Sequence, residues 1–175
     1  MMLDLGNGIR LTEFRDCDKD ALVEHLSNRE IYRRTLRLPF PYTPSDAEKW
    51  FAIVAETKKH LGQPVHWAIR ESSHGVIGGV GLDGLSADQS HRAEIGYWLA
   101  QPFWGRGIMT SVVRAICQHA FETLGLEKIT AQVFAGNNAS ARVLEKCGFE
   151  LEGYLRKHLV KDGEILDVKA YGLLR

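Results

Sequence analysis

Two hydrophobic periods alternate along this chain, one of two residues that predicts strands and one of 3.6 that predicts helices. The clearest strand covers residues 93–100, where Ala93, Ile95, Tyr97 and Leu99 fall on one face and Glu94, Gly96 and Trp98 on the other. A glycine inside such a run weakens a plain strand, so Gly96 predicts a bulge or a place where something comes close to the backbone. The clearest helix follows shortly after. Ile108, Val112, Ile116, Ala120 and Leu124 recur at helical spacing, Val113 and Phe121 widen the stripe, and Gly125 is placed to end it.

Elsewhere the pattern predicts strands over residues 8–13, 65–71, 76–85 and 128–134, and helices over 18–26, 30–36 and 138–147. Ser45 with Glu48 makes a capping box for a helix over residues 45–61 that Gly62 would end. Asp162 and Gly163 suit a type I′ turn between strands over 154–161 and 164–173. Strands and helices are mixed in an order that is not doubly wound, with no repeat and no linker. The expectation is a single α/β domain over residues 1–175, long enough to bury roughly 70% of its unfolded surface.

The junction between the clearest strand and the clearest helix carries the first chemical signal. Gly105 and Gly107, one residue apart, open the helix, and a glycine turn at a helix start presents backbone N–H groups that have no intrahelical partner. Such a turn can cradle a phosphate or diphosphate, or can simply be a tight connection. A Walker loop would need Lys then Ser or Thr after the second glycine, where Ile108 and Met109 stand. The dinucleotide fingerprint would need a third glycine where Thr110 stands. Nucleoside triphosphate and nicotinamide sites are therefore not expected.

Charge narrows the partners. Lysine plus arginine and aspartate plus glutamate both total 22, so no basic field draws the chain to nucleic acid or to an acidic membrane. No apolar run approaches a membrane span and the first residues lack a secretory plan, which makes a cytoplasmic location the expectation. Cys17, Cys117 and Cys147 give neither a disulfide framework nor a metal-ligand spacing, and the histidines form no helical His-x-x-x-His pair. No metal is expected.

A second segment completes the picture: Asn137 with Ser140 at a helix start, then Glu145 to Phe149 reading Glu-Lys-Cys-Gly-Phe, and Glu152-Gly153. Together with Glu94 to Tyr97 reading Glu-Ile-Gly-Tyr and Trp104 to Gly107 reading Trp-Gly-Arg-Gly, these features resemble the GCN5-related N-acetyltransferase (GNAT) superfamily over nearly the whole length. The branch that acetylates ribosomal-protein N-termini is the most similar. The resemblance implies a central, largely antiparallel, twisted sheet of six to seven strands with a splay between strands 4 and 5 and about four flanking helices. It also implies acetyl-CoA as co-substrate, held by Tyr97, Trp98, Leu99, Trp104, Gly105, Arg106, Gly107, Ile108, Met109, Thr110, Asn137 and Ser140. One departure is Pro102, where many relatives carry Gln or Arg.

Amine acetylation sets three chemical demands. A free α-amine has a pKa of about 8 and a lysine about 10.4, so a group must take the proton of an acceptor that arrives charged. Glu94 is the first candidate for that base and His91 the alternative; Glu94 could equally be satisfied by a cross-strand Lys or Arg. Ser140 is the candidate to meet the departing thiolate, because Leu144 stands where many family members use a Tyr. Asn137 would bind the pantetheine or order water, and capping of the following helix is the other reading of both residues. Backbone N–H near Tyr97 or Trp98, freed by a bulge, would meet the oxyanion.

The resemblance implies an acceptor that is a peptide N-terminus or a small amine. Tyr32, Phe40, Tyr42, Trp67 and Trp98 are candidates to surround it, and Arg29, Arg33 and Arg37 would align on one helical face. Leu159 stands where close relatives carry a Glu, so a non-catalytic acyl-CoA-binding module stays open beside the enzyme. A homodimer stays open as well.

Overall fold

The alternating run becomes β5 (Arg92–Leu99), the centre of an eight-stranded sheet in a computed structural model that describes residues 2–87 and 90–175. Before it come β1 (Leu3–Asp4), β2 (Ile9–Thr12), β3 (His66–Glu71) and β4 (Gly75–Asp83), and after it β6 (Lys128–Phe134), β7 (Glu150–Lys161) and β8 (Glu164–Leu174). The strand order is β1-β2-β3-β4-β5-β6-β8-β7. Every neighbouring pair is antiparallel except β5 with β6.

That one parallel pair determines the site. Its ladder has only three rungs, Arg92 to Lys128, Ala93 to Ile129 and Glu94 to Thr130. Beyond them β5 stays with β4 as far as Leu99, while β6 stays with β8 as far as Phe134. The sheet therefore splits between β5 and β6, as the splay implied by the resemblance requires.

Helices cover both faces. On one side α4 (Ile108–Glu122) and α5 (Asn138–Lys146) bury Val112, Val113, Ile116, Ala120 and Leu144 against Leu82, Ile95, Ile129 and Tyr171. On the other, α1 (Lys19–Leu26), α2 (Arg29–Tyr32) and α3 (Pro44–Leu61) bury Leu22, Leu26, Ile31, Tyr42 and Ala47 against Ala68 and Val76. Arg70 on β3 reaches into this second layer, where its guanidinium pairs with the buried Asp18 at 2.6 and 2.9 Å and with Thr12 Oγ1 at 2.6 Å.

Several sequence expectations are corrected. The described residues hold eight strands and five α-helices, against the six to seven strands and about four helices implied by the resemblance; the short β1 is the strand that the residue pattern did not predict. The predicted helix over 30–36 shortens to Arg29–Tyr32, capped by Asn28 Oδ1 on the Glu30 amide. α3 starts one residue earlier than expected, because Thr43 and Asp46 form the capping box and Pro44 takes the first helical position, where its missing N–H costs nothing. β7 begins at Glu150, four residues before the expected 154. α4 ends at Glu122, and Gly125 occupies the following turn with φ +68°. Asp162 and Gly163 both have positive φ, as the type I′ turn requires.

The bulge expected at Gly96 is absent. β4 and β5 pair without interruption from Asp83 with Glu94 to Gly78 with Leu99. Register shifts fall elsewhere: on β4, where Ile77 is passed over between the partners of Ile69 and Arg70, and between β7 and β8. Glycines crowd β4 for a different reason: the Trp98 indole lies over Gly79 and the His66 ring over Gly81, in space a Cβ would occupy.

Candidate active site

β5 presents two different faces and one open edge. Side chains alternate across a strand, so Glu94, Gly96 and Trp98 face the α1–α3 layer while Ile95, Tyr97 and Leu99 face α4 and α5. Amide direction alternates too. Ala100 N–H donates to Ile77 O at 2.7 Å, and with the regular register this directs alternate amides toward β4. The amides of Tyr97 and Leu99 consequently point to the side on which β6 has left. The donors that a bulge was expected to free are instead freed by the split, and Trp98 N–H is directed to β4.

A cleft of about 1060 Å³ runs through this split and is lined from both faces. On the α1–α3 face it holds Glu94 and Asp83, which share one register position on adjacent strands. His66 Nε2 lies 3.2 Å from Asp83 Oδ1, and Arg37 donates to Asp83 Oδ2 at 3.2 Å. The His66 hydrogen bond, followed by Arg37, holds the Asp83 carboxyl below its ordinary range. Glu94 is half-buried, and burial pushes its carboxyl up, with Asp83 adding to the rise and Arg37 and Arg92 opposing it. A carboxylate raised in this way is a better proton acceptor than an exposed one.

On the opposite face the cleft meets Tyr97, Asn137, Ser140 and Leu144. The hydroxyls of Tyr97 and Ser140 are 2.8 Å apart, joining β5 to α5 across the split. Burial pushes the Tyr97 phenol up to about 12, so it keeps its proton throughout the neutral range. Asn137 Oδ1 accepts the Ser140 amide at 3.3 Å, so this side chain does cap α5, and it lines the cleft as well. Leu144 is fully buried and Leu159 lies on the cleft wall.

The glycine turn stands beside this cleft, outside its lining. Gly105 and Gly107 have φ of +74° and +76°, a region L-residues avoid, and a Cβ at either would meet nothing within 4 Å. The turn is thus fixed by backbone conformation while its outer surface stays open. No side chain caps α4, which leaves the first-turn amides of Ile108, Met109 and Thr110 without intrahelical acceptors. The Met109 side chain packs into the core, so only its backbone is available. Arg106 is exposed, with its guanidinium 5.2 Å from the Phe103 ring centroid, and Gly107 and Ile108 border a smaller hollow of about 330 Å³ with Glu71 and His74. Trp104 ties the turn to β5: its indole N–H donates to Leu99 O at 2.7 Å.

The structure separates the remaining candidates. Tyr42 and Trp98 line the cleft. Trp67 is fully buried against His119, and Tyr32 stacks on Phe40 outside the cleft lining. Arg29, Arg33 and Arg37 do not share a helical face, because α2 ends at Tyr32; only Arg37 reaches the cleft. His91 is an exposed residue whose carbonyl accepts the Glu127 and Lys128 amides. Sequence reasoning missed His66, Asp83 and Trp50 on the cleft wall. His66 carried no local signal.

The pocket that backbone and side chains build here, a split sheet beside an uncapped helix start, has the layout implied by the resemblance to the GNAT superfamily. Residues 9–150 match the family described as an acetyltransferase (GNAT) domain. Along the sequence the chain is 30% identical over 168 residues to the uncharacterized N-acetyltransferase YoaA of Bacillus subtilis, covering 94% of this chain and 92% of that one. It is 28% identical to the L-amino acid N-acetyltransferase AaaT of Escherichia coli, covering 95% and 96%. In three dimensions it resembles RimL, a ribosomal L7/L12 α-N-protein acetyltransferase solved with coenzyme A, with a TM-score of 0.88, 20% identity and coverage of 99% and 98%; that likeness is one of fold. The chain belongs to the GNAT acetyltransferase family and is an acyltransferase. Among the described residues no helix is long and apolar enough to cross a membrane, and no cluster of three or more His, Cys, Asp or Glu side chains is placed to hold a metal.

Proposed function

We propose that residues 1–175 act as one catalytic domain that moves the acetyl group of acetyl-CoA directly to a primary amine, in the manner of the RimJ and RimL branch of the family. The observation that carries the reading is the split itself. It leaves the amides of Tyr97 and Leu99 directed to the edge that β6 has left, with a raised carboxyl on one face of β5 and a hydroxyl pair on the other. Acetyl-CoA supplies an activated acyl thioester.

The chain's own residues divide the work. The first-turn amides of α4 and the left-handed glycines before them suit a diphosphate, because their partial positive charge faces open space. The Tyr97 amide is directed at the place where negative charge develops on the acyl oxygen. Glu94 takes the proton from the acceptor ammonium, directly or through a water, its affinity for that proton increased by burial. Ser140, with its proton backed by the Tyr97 phenol, donates to the sulfur as it leaves.

Release of free thiol tests the reading. The protein is incubated with acetyl-CoA and a panel of ribosomal N-terminal peptides, amino acids, polyamines and aminoglycosides. Acceptor-dependent thiol release is expected for at least one class, and cofactor binding without turnover for any of them would replace the enzyme with an acyl-CoA-binding module.

A further inference from the structure

Gly96 is a glycine that neither its backbone nor its packing demands. It lies in the uninterrupted β4–β5 register and outside the left-handed region. A Cβ built on it would meet no atom within 4 Å. The two other glycines of the cleft that lie within strands differ, since neighbouring rings fill the space above Gly79 and Gly81. A strand interior favours almost any residue over glycine, so an unforced glycine on a cleft wall marks space kept for something outside the chain.

The position of that space is specific. Glu94 and Trp98 flank Gly96 on the same face of β5, at the two ends of about 13 Å of strand. His66 and Asp83 border it from the side of β4. Gly96 is the residue of that face that lies between Glu94 and the strand position of the Tyr97 amide, so an acceptor that spans the two would carry its amine-bearing carbon over it.

We propose that Gly96 is the specificity-determining position of the acceptor site, the bare stretch between Glu94 and Trp98 receiving the substituent on the carbon that carries the amine. This rests on the acetyltransferase reading above. A methyl placed at residue 96 occupies the room that such a substituent uses, so Gly96→Ala selects against amines branched at that carbon and spares those that are not.

The test uses whichever amine of the panel is accepted, together with its homologue carrying one methyl more or fewer on the amine-bearing carbon; for a peptide these are N-terminal alanine and N-terminal glycine. Gly96→Ala is expected to lower kcat/KM for the more substituted amine by about tenfold, the scale of one methyl group in a pocket, and for the less substituted one by no more than about threefold. Its thermal midpoint is expected to equal or exceed that of the unmodified chain, and its affinity for CoA to be unchanged. Equal losses with both amines, no loss with either, a lowered midpoint or a weakened CoA complex would each overturn the assignment. If none of the amines raises thiol release by the unmodified chain, the acetyltransferase reading itself fails, which is a different result from an active enzyme that ignores residue 96.

Discussion

Asp83 and Glu94 oppose each other in register on β4 and β5, and both face the same cleft. Asp83 is held by hydrogen bonds from His66 and Arg37, while Glu94 is raised by burial and by the Asp83 charge, with Arg37 and Arg92 opposing. The pair divides into a fixed anion and a group ready to accept a proton, a pattern by which neighbouring carboxyls take different roles.

The first prediction concerns pH. A base works when deprotonated, so kcat/KM rises as pH rises through its pKa. Asp83 pushes Glu94 up and Arg37 pulls it down. Asp83→Asn should therefore move the acidic limb of the profile to lower pH, and Arg37→Ala should move it to higher pH. Rate profiles over the acidic and neutral range check both signs, and Glu94→Gln should lower kcat/KM about a hundredfold with CoA affinity retained.

The second concerns the leaving group. Tyr97→Phe and Ser140→Ala remove the two ends of one 2.8 Å contact. Each is expected to slow turnover by about a hundredfold at most, and the double variant to be little worse than either single one, because neighbouring groups acting as a unit are not additive. CoA titration should show near-normal affinity for all three proteins.

A third concerns the glycine turn. Gly107 has φ +76°, and a β-branched residue is strongly disfavoured there. Gly107→Val should destabilise the fold by about 1–3 kcal/mol and abolish measurable CoA binding, whereas Gly136→Ala, at a position with ordinary φ and open space, should do neither. Thermal unfolding with and without CoA separates the two effects.

The fourth is independent of function. Arg70→Ala leaves Asp18 buried, at 4% exposure, without its guanidinium, and should cost about 3–5 kcal/mol in denaturant unfolding. Arg70→Lys should recover only part, since one ammonium cannot reproduce contacts to both carboxylate oxygens and to Thr12.

Much of the site was legible because it depends on local periodicity. The alternation of residues 93–100 assigned Glu94 and Trp98 to one face and Tyr97 and Leu99 to the other before any sheet was known, and the structure keeps that division. The glycine turn and the hairpin at Asp162 and Gly163 were equally local. Contacts made by strand register were hidden: nothing near His66, Asp83 or Arg37 in the sequence says that they meet. The hydroxyl pair was hidden for the same reason, as Tyr97 and Ser140 are 43 residues apart. The α3 start was misread because two capping boxes overlap there, and the fixed φ of Pro44 selects the earlier one. The bulge was misread because Gly96 marks open space in a regular ladder.

The central claim is that the glycine-turn amides and the β5–β6 split together hold the acyl donor. A crystal structure of the chain with CoA tests it most directly. The diphosphate is expected on the amides between Gly105 and Thr110 and the pantetheine arm between β5 and β6, with its sulfur near Ser140. A diphosphate bound away from that turn, or a pantetheine that does not enter the split, would contradict it.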